Sequence, residues 1–337
     1  MTASGHAFRM FSRHALIGAV ALAVSIAVPN GFGVAQASPV GVSPIGQRPR
    51  IEGERMLADV RALAHDSLEG RRTGTVGNEK ARAFLIRELE QRGVAPLGGV
   101  RTQSFELSGR GAGPPQRGVN VLGVVPGTVH PDRYIVVTAH YDHLGVRSGE
   151  VYNGADDNAS GTAAVLALAK WIRDHPQRHS FLFVAFDAEE TGLRGARAFV
   201  ANPPVPLRGV VMTVNLDMVS RSPKGELYAV GTYHYPFLAP YVAEAARASK
   251  IELLTGHEGP GLPPGDDWTG SSDHGPFHEA RIPFIYLGVE DHPGYHQPTD
   301  DAADITPAFY VEAIETALDL LLLLDRNGER IRDARAP

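Results

Sequence analysis

The sequence predicts an α/β protein: a three-layer domain in which a central mixed, mostly parallel sheet is flanked by helices. Two observations carry that prediction. From Val119 onward, short β-branched apolar runs alternate with stretches whose apolar residues recur three and four apart. Chemically active side chains also fall just after several of the apolar runs, which is where open α/β sheets bind ligands.

Arg9 and Arg13 precede an apolar run from Ala15 to Val28, and Ala35-Gln36-Ala37 follows. This reads as a secretory signal peptide over 1–37, because the run falls short of the roughly 20 apolar residues a spanning helix needs. Cleavage would leave a chain from Ser38, periplasmic or secreted, with no stable membrane anchor. Its loss would take two arginines and shift the formal charge from −6 to −8. That mild acidity argues against nucleic acid as a partner. The chain has no cysteine, so its core must hold without disulfides.

Residues 38–50 are rich in Pro, Gly and Ser and read as a flexible leader. A single domain is expected over 51–330, followed by a tail at 331–337. Helical patterns cover Glu54 to Ala64 and Asn78 to Arg92. His65 to Arg72, between them, reads as a solvated loop rather than a segment turned inward to a cleft. Thr102 to Leu107 is expected as an antiparallel edge strand. Further strands are predicted at Val119–Val125, Tyr134–Ala139, Ser180–Phe186, Val210–Leu216, Glu226–Val230 and Pro283–Gly288. The predicted helices are Gly161–Arg173, Leu193–Val200, Phe237–Ser249 and Pro307–Leu324. The Gly/Pro-rich stretch Gly256 to Gly270 reads as a long loop that lines a pocket, together with residues near Phe277.

Five metal-ligand-type residues stand in five motifs: His140 in TAHYDHLG, Asp157 in NGADDNASG, Glu190 in FDAEETG, Asp217 in VNLDMV and His296 in GYHQPTD. Taken singly, each has a plainer role, such as a helix cap for the Asp156-Asp157-Asn158 run or a first-turn acid for Glu189-Glu190. Asp217 is harder to explain that way, since an unpaired acid inside an apolar run is costly to bury. Two imidazoles and three carboxylates suit two zinc ions, with cobalt or manganese as possible substitutes. Glu189 stands where a base for an activated water belongs. Asp142 is expected to accept the second N–H of His140 and so orient that ring.

These motifs resemble the zinc-dependent exopeptidase family of secreted bacterial aminopeptidases, glutamate carboxypeptidases and glutaminyl cyclases, over about Leu57 to Leu324. The resemblance implies His140 and Asp217 on one zinc, Asp157 bridging, and Glu190 and His296 on the second. Glu189 would be general base to a metal-bridging hydroxide, and Tyr295 an oxyanion donor. It also implies a cis peptide at Asp157-Asn158 and a supporting role for Ser272-Asp273-His274-Gly275-Pro276-Phe277. The stretch between Leu107 and Tyr134 is too short to hold the protease-associated insertion that some relatives carry, so none is expected. The expected activity is aminopeptidase, acting on peptides with a free N-terminus. The alternatives are a single-zinc glutaminyl cyclotransferase, a carboxypeptidase using Arg147, Arg194 or Arg221, and a non-catalytic binding ectodomain. Oligomeric state is not legible.

Overall fold

In chain order the elements are α1 (Gly53–Leu63), α2 (Val76–Gln91), β1 (Thr102–Leu107), β2 (Gln116–Val125), β3 (His130–His140), β4 (Gly145–Arg147), β5 (Glu150–Tyr152), α3 (Gly161–Asp174) and β6 (His179–Phe186). They continue as α4 (Arg194–Ala201), β7 (Val210–Leu216), β8 (Glu226–Val230), α5 (Ala239–Ala248), β9 (Glu252–Leu254), α6 (His274–Glu279), β10 (Phe284–Gly288), α7 (Pro307–Arg326) and α8 (Gly328–Arg335). This computed structural model describes residues 45–46, 48–107 and 116–335. The expected signal peptide lies outside the described residues, as does most of the leader.

Eight strands form one sheet in the order β1-β2-β6-β3-β7-β10-β8-β9, and β4 and β5 make a separate hairpin. The four central strands β6, β3, β7 and β10 run parallel, so their C-terminal ends share one edge of the sheet. β1 is the antiparallel edge strand that the sequence predicts.

Strand alternation divides the core. In β6, Phe181, Phe183 and Ala185 join the larger apolar cluster with α1, α3 and α7, whereas Leu182, Val184 and Phe186 face Ala196 and Phe199 of α4 and Phe277 of α6. Every residue of β6 and β7 is buried. Both faces are covered, so these strands read as continuous apolar runs. Among the described residues no helix is long and apolar enough to cross a membrane.

Three expectations change. The connection from His65 to Arg72 is not a solvated loop: it turns as a 3₁₀ segment, Asp66–Arg71, and buries Arg71 completely. The end of the leader is tied down, with Arg48 and Arg50 paired to Glu312, Glu315 and Asp319 of α7. The expected tail continues as α8 to Arg335, with Ile331 buried. Phe277 packs against Phe186 and Phe199 in the core.

Candidate metal centre

The shared strand edge collects the predicted residues. His140 is the last residue of β3, Glu189 and Glu190 follow β6, and Asp217 follows β7. His296 comes from the loop after β10, and Asp157 from the turn that leads into α3. Several of these turns hold non-glycine residues at positive φ: Ala188 (60°), Met218 (55°) and His296 (54°). Such backbone is uncommon for non-glycine residues and persists only where the surrounding structure holds it. Gly154 (φ 55°) has no substitute, because a Cβ there would lie 2.1 Å from the Asp157 carbonyl oxygen and 2.5 Å from the His143 ring.

His140 Nε2 lies 3.3 Å from Asp157 Oδ1 and 3.3 Å from Asp217 Oδ1. On the other side, His296 Nε2 lies 3.1 Å from Asp157 Oδ2 and 3.4 Å from Glu190 Oε2. One carboxylate thus faces two groups with its two oxygens, as a bridging ligand would. The peptide bond after it, Asp157-Asn158, is cis, as the resemblance implies.

His143 completes the second group, its Nδ1 2.7 Å from Glu190 Oε1 and 3.7 Å from Asp157 Oδ2. Sequence reasoning missed this residue, although it stands three positions after His140 in the same motif. Its ring is buried, and neither nitrogen has a well-formed hydrogen bond. Glu190 Oε1 and Asp217 Oδ1 are likewise buried and unsatisfied. Buried lone pairs with no donor are costly, and divalent cations shared among these atoms would satisfy them. The residues therefore fit a pair of metal ions.

Asp142 acts differently from the expectation. The Asp142 backbone carbonyl accepts from His140 Nδ1 at 3.1 Å, while its carboxylate stands 3.8 Å away. The carboxylate instead accepts from the Glu189 backbone N–H at 3.0 Å and from the Thr73 hydroxyl at 3.2 Å. Asp142 therefore positions the backbone of the candidate base. Burial, followed by the nearby Asp187, holds its pKa well above the usual carboxylate range.

Asp156, next to the bridging residue, has a structural role: it accepts from the Ser220 N–H and hydroxyl and lies 3.1 Å from His292 Nε2. Asp300, at the end of GYHQPTD, accepts from the backbone N–H groups of Asp156 and Asp157. Arg71 donates to the carbonyls of Leu63, Tyr141, Asn153 and Gly154, bracing the turn before Asp157. Burial lowers its pKa to about 10, so it remains charged near neutrality. Ser272 donates to Asp217 Oδ2 at 2.6 Å, which gives the Ser272 to Phe277 motif its supporting contact.

His140, Asp157, Glu189, Glu190, Asp217 and His296 line an open cleft of about 420 Å³ whose wall includes Trp268 and Tyr286. Its acids are Asp157, Glu189, Glu190, Asp217 and Asp291. The Gly256–Gly270 loop contributes Gly265, Trp268 and Gly270, as expected. Tyr295 lines the cleft and stacks on His296 with ring centroids 3.9 Å apart. Arg147, Arg194 and Arg221 lie outside it: Arg147 covers Tyr152, Arg194 donates to the Thr191 carbonyl, and Arg221 faces Asp304. Burial holds the Glu189 pKa well above the ordinary carboxylate value, although His140 opposes the shift.

A model described as Peptidase family M28 matches residues 120–321. Aminopeptidase YwaD of Bacillus subtilis (strain 168) is 35% identical over 217 residues, which are 61% of this chain and 44% of that protein. The chain spans less than half the length of that curated relative and of the probable zinc metalloproteases it matches. Among solved structures it is similar to BSAP, a zinc aminopeptidase from Bacillus subtilis, with a TM-score of 0.67 and 19% identity over 81% of this chain and 96% of that one. A glutaminyl cyclase of Fimbriiglobus ruber gives a TM-score of 0.65 and 18% identity over 82% and 97% of the two chains. Likenesses this remote in sequence bear on the fold alone, and they agree with the layered mixed sheet.

Proposed function

Because the chain belongs to peptidase family M28, we propose that it is an exported dinuclear-zinc aminopeptidase that removes N-terminal residues from peptides. The observation that carries this reading is the Asp157 carboxylate, whose two oxygens join two imidazole–carboxylate groups, with Glu189 lining the same cleft. His140 and Asp217 would hold one ion, Glu190 and His296 the other, and Asp157 both. When bound, zinc would polarise the scissile carbonyl and lower the pKa of the attacking water.

The remaining work falls to the chain's own side chains. Glu189 takes a proton from the water on its carboxylate and returns it to the departing amine as the C–N bond breaks. The Asp142 carboxylate fixes the Glu189 backbone from which that carboxylate projects. Tyr295 donates its hydroxyl to the carbonyl oxygen as that oxygen gains charge. A free α-ammonium suits the acidic cleft, whereas the three arginines that a carboxypeptidase reading would use lie outside it. Export is supported by the charged start, apolar run and small-residue site within residues 1–37.

Mass spectrometry of peptides with free, acetylated and glutamine N-termini, incubated with the zinc-loaded protein, tests the proposal. Stepwise loss of residues from free N-termini is expected, and acetylated peptides should survive. Loss of ammonia from glutamine peptides without cleavage would replace this reading with cyclotransfer, and shortening from the C-terminus would replace it with carboxypeptidase action.

A further inference from the structure

The opposite edge of the sheet holds a second group of metal-ligand side chains. β3 begins with His130 and ends with His140, so an extended run of about 10 residues puts the two roughly 30 Å apart. His130 and His179 open the parallel strands β3 and β6 as register partners, and their rings stack with centroids 4.7 Å apart. From α8, Glu329 brings Oε1 to 3.5 Å from His179 Nε2. The approach depends on Gly328, where a Cβ would lie 2.5 Å from His179 Cε1.

The protonation of His179 follows from its other nitrogen. Nδ1 lies 2.9 Å from Asp325 Oδ1, and the Asp325 carboxylate also accepts the backbone N–H groups of Arg178 and His179. A carboxylate already serving as acceptor puts the neutral ring's proton on Nδ1, which leaves a lone pair on Nε2. The His179 side chain is 1% exposed. Its Nε2 and Glu329 Oε1 are both buried without a hydrogen-bond partner. Two acceptors face each other across 3.5 Å with no donor between them.

We propose that His130, His179 and Glu329 form a second divalent-metal site, best suited to zinc, that fastens α8 to the starts of β3 and β6. Two ligands bound tetrahedrally at about 2.0–2.1 Å from zinc lie about 3.4 Å apart, close to the spacing of His179 Nε2 and Glu329 Oε1. Ligand atoms of all three residues lie within 4.8 Å of one another. Asp325 supplies the carboxylate partner that zinc-bound imidazoles usually have. Arg332 holds the other oxygen of Glu329 at 3.0 Å, which leaves Oε1 for the ion. The fourth position opens into a cavity of about 250 Å³. Arg178, Arg326 and Arg330 line that cavity but are exposed residues, where water and salt weaken their repulsion of a cation.

The test compares the zinc content of the full chain with that of His130→Ala and Glu329→Gln after equilibration with zinc and gel filtration. These two positions are partly exposed and less demanding of the fold than His179. Each variant should lose about one equivalent of zinc per chain relative to wild type, with peptidase activity unchanged and a smaller rise in melting temperature on zinc addition. Because the difference between proteins is read, the result does not depend on how many ions the cleft holds. Anomalous scattering at the zinc edge should place a peak between His179 Nε2 and Glu329 Oε1. Equal zinc content in all three proteins, with no such peak, would overturn the site and leave an ion pair between protonated His179 and Glu329.

Discussion

Glu189 projects from a backbone whose N–H is fixed by Asp142, itself bonded to Thr73. Its carboxyl is pushed toward the neutral form chiefly by burial, with Asp273, Asp217 and Glu190 adding to the push. Bound divalent cations would work the other way and favour the carboxylate that a base requires. Glu189→Gln keeps the shape and removes the proton acceptor, so kcat should fall by about 10²–10⁴-fold while metal content by mass spectrometry stays at the wild-type level. A variant that loses its metal instead would make Glu189 a ligand. His143 makes the complementary prediction. His143→Ala removes the imidazole beside Glu190 Oε1, and metal retention against a chelator should weaken by about 10–100-fold. Unchanged retention would leave His143 as packing only. At this scale the sequence reveals residue type far better than residue aim. Asp142 and His143 stand in the same eight-residue motif, and nothing in their spacing tells which turns its side chain toward Glu190 and which toward a backbone N–H.

The helix α7 explains why the segment at 48–50 is ordered. Glu312, Glu315 and Asp319 are spaced three and four apart, so they share one helix face. Arg48 and Arg50 meet that face with side chains only 3% and 8% exposed, against 1% for Glu315 and 0% for Asp319. Removing one partner of a buried pair strands the other charge. Arg50→Met should therefore cost about 3–5 kcal/mol of unfolding free energy, read as a lower denaturant midpoint. A shift within error would make the pairs solvent-relaxed decoration. The acid spacing was visible in the sequence, but its partners lie more than 260 residues away, and a Pro/Gly-rich composition gave no hint that the segment would dock. Weak patterning hides α8, whose sequence GERIRDAR offers one large apolar residue to a helical pattern, and β9, whose three residues are too few to establish a period. The long strands and helices were legible because both faces or one full stripe had to be apolar.

For the molecule as a whole, the site is a concentration of acids on a sheet edge. Asp157, Glu189, Glu190 and Asp217 converge at one cleft, in a chain with no disulfide to hold it together. Asp157 and Asp217 are buried, and Glu189 and Glu190 are half-buried. Without cations their mutual repulsion and lost hydration oppose folding, and with cations the same residues become ligands present only in the folded state. A ligand that binds only the native state stabilises it by about 2.7 kcal/mol at 100 times its dissociation constant. Two such ions would give about 5 kcal/mol, on the order of 8 °C in melting temperature for a domain of about 300 residues. Chelation should thus abolish peptidase activity and lower the melting temperature together, and stoichiometric zinc should restore both. In His130→Ala, which lacks the second site, the activity loss should persist and most of the thermal shift should remain, because the cleft supplies it. If quantitative metal removal leaves both activity and melting temperature where they were, the convergent carboxylates are satisfied by protons and the dinuclear reading fails.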